Sequence, residues 1–105
     1  RAMSMMLTGR TVGAEEGLNL GFVNEVTRIE ELMKTAENWA QLILDCSPTS
    51  IRTTKDVAMT GLSHANIEDA MSAKYESVIN LFKSEDFIEG PLAFSEKRKP
   101  NWTGK

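Results

Sequence analysis

Ile29-Glu30-Glu31-Leu32-Met33-Lys34-Thr35-Ala36-Glu37-Asn38-Trp39-Ala40-Gln41-Leu42-Ile43-Leu44-Asp45 carries apolar side chains at positions 29, 32, 33, 36, 40 and 43. That recurrence keeps one face of a 3.6-residue helix apolar, and it predicts a helix over the whole stretch. Trp39 and Leu44 widen the stripe. Downstream, Cys46-Ser47 end the segment and Pro48 opens another. Ser47 is a candidate N-cap, with Pro48 at the first helical position, where its missing N–H costs nothing. This second helix is expected to run to about Met59 and to stop at Gly61.

From His64 or Asn66 a third stripe begins: Ile67, Ala70, Met71, Tyr75, Val78, Ile79 and Phe82. Only Lys74 interrupts it, and a lysine stem can lie along apolar surface with its head in water. The pattern predicts one unbroken helix of more than four turns. Ser84 then caps a short helix with Glu85 and Asp86 in its first turn, where the dipole favours negative charge. Gly90-Pro91 is expected to break or kink it.

Upstream, Arg1–Leu7 reads as the end of a helix stopped by Gly9, and Ala14–Leu20 as a short helix closed by Gly21. Gly17 inside that helix asks either for close packing or for a weak helix. Phe22–Val26 alternates weakly, like a short strand. The fold class is therefore mainly α: an irregular, orthogonal array of helices with at most one short strand. The opening Arg1-Ala2-Met3 has no initiator methionine and starts within a helix, so the chain is expected to be cut from a longer one.

The 105 residues carry 12 Lys+Arg and 15 Asp+Glu, a formal charge of −3. That balance argues against a nucleic-acid binder, which needs a basic field to neutralise phosphates. No apolar run approaches the ~18 residues of a membrane span. A single Cys and a single His exclude a disulfide framework, a Cys-rich metal site and a three-His site, so no metal is expected. His64 falls in an interhelical loop and reads as a surface or capping residue. Cys46 follows a helix C-terminus, where a thiolate is disfavoured, and reads as a half-buried structural thiol. Glu85 and Glu89 are i,i+4 neighbours and read as a solvated face. The glycines at 9, 13, 17 and 21 do not follow a strand and open a helix, as a phosphate-cradling loop would. One cluster combines cations with rings: Lys97-Arg98-Lys99 with Phe94 and Trp102. It reads either as a solvated tail or as an anion clamp, with cations for phosphate and a ring for a stacked base.

Two stretches carry a resemblance. Leu7-Thr8-Gly9-Arg10, Ala14-Glu15-Glu16-Gly17 and Leu20-Gly21-Phe22-Val23-Asn24-Glu25-Val26 together resemble a motif of the enoyl-CoA hydratase/isomerase (crotonase) superfamily. Ser84-Glu85-Asp86-Phe87-Ile88-Glu89-Gly90-Pro91-Leu92-Ala93-Phe94-Ser95-Glu96-Lys97-Arg98-Lys99-Pro100 resembles its C-terminal motif, and Ser47-Pro48 followed by Lys55 is similar to its intervening helix. Gly17 and Phe22 depart from the usual Ala and Leu. The resemblance implies a C-terminal portion of that fold, with residues 1–26 ending a spiral core. Residues 27–105 would then be a helical region that oligomerises and covers the coenzyme A site, the whole forming one compact unit.

For the longer parent, the resemblance implies a lyase that adds or removes water across a 2-enoyl-CoA double bond. A double-bond isomerase, or a catalytically silent interaction module, is the alternative. No catalytic residue is expected in this chain, and Phe94 and Lys97 match the positions that contact coenzyme A. The implied partner is an acyl-CoA, which is substrate rather than cofactor. The implied assembly is a homo-oligomer, trimeric or hexameric in the parent. Nucleic acid and membrane are not expected as partners, and a cytoplasmic setting is the expectation, since no targeting segment is visible.

Overall fold

The computed structural model describes residues 2–105. Among them the chain forms seven α-helices and no strand: α1 Ala2–Thr8, α2 Ala14–Leu20, α3 Leu32–Leu44, α4 Pro48–Gly61, α5 Ile67–Ser72, α6 Glu76–Phe82 and α7 Glu85–Ser95. A 3-10 turn, Ile29–Glu31, precedes α3. The chain divides into two compact units, one up to Glu37 and one over Asn38–Lys105. The expected start of α1 at Arg1 lies outside the described residues.

In the first unit, Gly9 (φ 61°) donates its N–H to the Met5 carbonyl at 2.9 Å and ends α1 in the left-handed region. Gly21 (φ 86°) ends α2 the same way. Arg10 forks onto both oxygens of Glu16, at 2.7 and 3.1 Å, and so ties the approach to α2 to its first turn. Gly17 is buried, and the N–H groups of Gly21, Phe22 and Val23 all converge on its carbonyl. The chain after α2 therefore folds back over it. A Cβ at position 17 would lie 2.8 Å from Val23 Cγ2 and 3.1 Å from the Phe22 ring. Close packing, not a weak helix, explains this glycine. Phe22–Val26 is irregular rather than a strand, and its first two N–H groups, of Phe22 and Val23, are spent on this return.

Gly17→Ala should consequently destabilise the first unit by about 1 kcal/mol. The overlap with a stiff, β-branched valine outweighs the gain in helix propensity. A urea titration followed by helical circular dichroism checks the sign.

In the second unit, Ser47 caps α4 by accepting from the Ser50 N–H at 3.2 Å, with Pro48 in the first turn. Helix α4 packs chiefly on α6. Thr53 is buried there and donates to the Ser77 carbonyl at 3.1 Å, while Ser77 donates to Asp56 at 2.6 Å.

The unbroken helix expected over 67–82 is not formed. Ala73 leaves α5 with an extended backbone (ψ 148°), and Tyr75 enters α6 extended (ψ 119°). Neither Gly nor Pro causes the break. The Tyr75 hydroxyl donates to the Ala70 carbonyl at 2.7 Å, supplying the partner that a continuing helix would have drawn from the backbone. Ser72 donates to the Asp69 carbonyl at 3.3 Å and competes for the same last turn.

Helix α7 also departs from expectation, since it runs through Gly90-Pro91 to Ser95 without a break. Pro91 is the seventh residue of the helix and has no N–H to return to the Phe87 carbonyl, so α7 continues through it with that one bond missing.

The second unit has little apolar interior. Ala93 is its buried hydrophobic residue, and Ser47, Thr53, Ser84 and Asp86 are the buried polar ones. Large apolar side chains remain exposed on its helices, among them Met71 at 82% and Phe82 at 59%. Tyr75 and Val78, on the same predicted stripe, are half-buried.

Candidate functional site

The most densely bonded part of the chain is the start of α7. Ser84 caps it, accepting from the Phe87 N–H at 3.2 Å. Asp86, 3% exposed, then points its carboxylate inward and collects donors on both oxygens. The Ser47 and Thr49 hydroxyls donate to Oδ2 at 2.7 and 3.1 Å. The Thr103 and Gly104 backbone N–H groups donate to Oδ1 at 2.8 and 3.2 Å. Burial alone would push this carboxyl up, but the hydrogen bonds from Ser47, Thr103, Gly104 and Thr49 outweigh it and hold it at about 2. One side chain thus joins the N-termini of α4 and α7 to the C-terminal segment. The Glu85 N–H takes no part in this and instead donates to the Lys105 carbonyl at 2.8 Å.

The other end of α7 carries the basic-aromatic cluster, and the structure divides its members. Arg98 is fully engaged inside the chain. Nη1 and Nη2 donate to the two oxygens of Glu89 at 2.5 and 2.9 Å, and Nε donates to Glu96 at 2.6 Å. The Asn101 N–H donates to the same Glu89 at 2.6 Å. Arg98 first, then the Asn101 amide, holds the Glu89 carboxyl at about 2; Glu89 and then Glu96 raise the Arg98 guanidinium above its ordinary value. Glu89, its side chain 17% exposed, is therefore an anchor for the returning chain rather than part of a solvated face. Its i,i+4 neighbour Glu85 accepts from the Thr103 hydroxyl at 3.0 Å.

Trp102 is likewise committed. Its Nε1 donates to the Asp45 carbonyl at 2.9 Å, and its ring lies over Gly90, where an added Cβ would come within 3.3 Å. Phe94 and Lys97 are different. Phe94 is 88% exposed. Lys97 is exposed and takes the left-handed conformation (φ 55°), the one non-glycine residue to do so among the described residues. Its N–H donates to the Phe94 carbonyl at 3.2 Å, and the Arg98 N–H reaches back to the Ala93 carbonyl at 3.1 Å. This pair of bonds is a Schellman motif with lysine at the position that glycine usually fills. Among the described residues no hydrogen bond or ion pair holds the Lys97 side chain.

The remaining candidates lie elsewhere. His64 meets the Tyr75 ring edge-on, with centroids 6.4 Å apart. Both line an apolar groove of about 790 Å³ between α4, α5 and α6, with Val57, Leu62 and Met71. Cys46 is exposed rather than half-buried, and its sulfur donates to the Leu42 carbonyl at 3.4 Å. Among the described residues no group of three His, Cys, Asp or Glu side chains could hold a metal ion, and no helix is long and apolar enough to cross a membrane. Spacing alone missed the Glu89–Arg98 anchor and the Asp86 junction. The one signal for the second was an aspartate in the first turn of a capped helix.

Comparison with known proteins places this arrangement. A family model described as enoyl-CoA hydratase/isomerase matches residues 1–105. The carnitinyl-CoA dehydratase of Escherichia coli K12 is 41% identical over 105 residues, covering 96% of this chain and 40% of that protein. The carnitinyl-CoA dehydratase of Proteus mirabilis is 35% identical with the same coverage. Among solved structures, an enoyl-CoA hydratase from Mycobacterium tuberculosis superposes with a TM-score of 0.89 at 29% identity, over 99% of this chain and 41% of that one. An enoyl-CoA hydratase from Bacillus anthracis gives 0.89 at 27% identity, over 100% and 40%. The chain spans about 40% of the length of the relatives it matches.

Proposed function

The chain belongs to the enoyl-CoA hydratase/isomerase family, and from that premise we propose that it is the C-terminal, coenzyme-covering portion of an acyl-CoA hydratase. The whole enzyme would be a lyase that adds or removes water across the double bond of a 2-enoyl-CoA. It would act on the thioester without a further cofactor, in the cytoplasm, where polyanionic thioesters are retained. In this reading residues 1–26 continue the catalytic core and residues 27–105 form the helical region. In the same reading, the groups that polarise the thioester carbonyl and move protons would lie in the part of the enzyme that this chain does not span. The names of the relatives, carnitinyl-CoA dehydratases and enoyl-CoA hydratases, favour dehydration and hydration over isomerisation.

Within the chain, Phe94 and Lys97 are the residues we assign to coenzyme A. A single observation carries that assignment: among the described residues, Phe94 is a bare ring and Lys97, three residues on, is a cation with no internal partner, Lys99 being the other unpaired cation of the cluster. A ring offers a stacking face to adenine, and an ammonium group offers charge to a phosphate. Arg98 and Trp102, which the composition of the cluster would also nominate, are occupied internally. The exposed apolar faces of α5 and α6 support a homo-oligomer for the parent, because surfaces of that kind mark association sites.

Calorimetry with coenzyme A tests the assignment. The chain should bind, and the Phe94→Ala/Lys97→Ala double variant should bind at least about tenfold more weakly, since a stacked ring and a charge contact each contribute on the order of 1 kcal/mol. Equal binding by the two proteins would overturn it. The same chain should not turn over crotonyl-CoA, as followed by the loss of its enoyl absorbance.

A further inference from the structure

Lys97 is held in a backbone conformation that a lysine occupies at roughly a tenfold population penalty. Something must hold it there. The residue after it supplies the restraint. The Arg98 guanidinium forks onto Glu89, nine residues back along the chain, and reaches Glu96 with its remaining Nε. Arg98 Nη1 also donates to the Lys99 carbonyl at 3.2 Å. The peptide groups on both sides of Lys97 are held by the Schellman bonds to α7, and the guanidinium ties down the chain just beyond them, at the Lys99 carbonyl.

We propose that Arg98 and Glu89 are positioning residues. Their bidentate pair locks Lys97 in the left-handed turn, and so fixes the direction of its ammonium group relative to Phe94 for a phosphate-bearing ligand. The inference rests on the assignment of Phe94 and Lys97 to coenzyme A. It reverses the simplest reading of Lys97-Arg98-Lys99, in which all three cations meet the anion. Arginine suits the task because its planar fork matches both carboxylate oxygens, whereas a lysine at position 98 would keep the charge and lose the geometry.

The two roles for Arg98 predict opposite signs. If Arg98 were a phosphate ligand restrained by Glu89, Glu89→Gln would release it, make the surface more positive and tighten coenzyme A binding. If the pair positions Lys97, Glu89→Gln weakens binding despite the added positive charge. Glutamine can still accept from the Asn101 N–H, so the returning chain keeps that tie. The experiment measures coenzyme A binding for the 105-residue chain, Glu89→Gln, Arg98→Lys and the double variant. Hydrogen exchange of the Lys97 and residue-98 amides is followed in the same four proteins without ligand, and the exchange of Thr53 in α4 serves as the control for global folding.

The expected result is a five- to tenfold loss of affinity in each single variant, no further loss in the double, and faster exchange at positions 97 and 98 with Thr53 unchanged. Unchanged exchange at 97 and 98, or tighter binding by Glu89→Gln, would overturn the proposal. Failure of the unsubstituted 105-residue chain to bind coenzyme A would overturn the assignment of the ligand. The exchange data would then still decide whether the pair locks the turn.

Discussion

Asp86→Ala should destabilise the Asn38–Lys105 unit by about 4 kcal/mol, the largest single-residue effect expected in this chain. The carboxylate is buried and serves four residues at once. Removing it leaves the Thr103 and Gly104 N–H groups without an acceptor, and a buried donor left unpaired costs about 1–3 kcal/mol. The Ser47 and Thr49 hydroxyls can rotate toward other acceptors; the backbone groups cannot. That asymmetry separates two variants. In Asp86→Asn the amide oxygen can take the Oδ1 place and keep both backbone donors, while its NH₂ faces hydroxyls able to accept. The asparagine variant should therefore lose only about 2 kcal/mol. Urea midpoints of the three proteins give the order wild type, Asn, Ala. Equal losses in the two variants would mean that the hydroxyl contacts, not the backbone ones, carry the junction.

The second large effect is acid lability. The Asp86 carboxyl is held at about 2, below the ordinary value of 3.8 that it regains when the chain unfolds. Its stabilising contribution is therefore fully present above pH 4 and is lost as the pH falls through the window from about 4 to about 2. The difference corresponds to about 2 kcal/mol. Glu89, held low by Arg98 and then by the Asn101 amide, works in the same direction over the same window. Stability measured by urea titration should be flat from pH 7 to 5 and should fall steeply below pH 4. In Asp86→Asn the slope should be reduced but not abolished, because one of the two groups that bind an extra proton on unfolding is gone and Glu89 remains. A wild-type slope persisting in that variant would point to other carboxylates.

How much of this was legible in the sequence follows a physical division. Features that depend on neighbours in the chain could be read. Gly9 and Gly21 end helices because only a residue without a Cβ enters the left-handed region freely. Ser47 and Ser84 begin helices because a short hydroxyl reaches an amide three residues on. Features that depend on distant partners could not be read. The break between α5 and α6 falls in an amphipathic pattern with no glycine or proline, and it is fixed by a tyrosine hydroxyl and by bonds from α4. Helix α7 continues through Pro91 although it forgoes the bond to the Phe87 carbonyl, and a rule that proline breaks a helix misses that. The candidate site shows the same split. Phe94 and Lys97 were named from motif resemblance. The withdrawal of Arg98 depends on Glu89 and Glu96, and becomes visible only once the chain has turned at Lys97.

The polar interior of the second unit also sets its thermal character. Most domains owe the curvature of their stability against temperature to apolar surface that takes on ordered water when they unfold. Here the buried side chains are hydroxyls and a carboxylate around one alanine, and the large apolar groups are wet in the folded state as well. The heat-capacity increment of unfolding is accordingly small, and the stability curve broad and shallow. Whatever surface comes to cover Met71 and Phe82 would bring the missing heat capacity with it, so calorimetric curvature becomes a direct gauge of assembly.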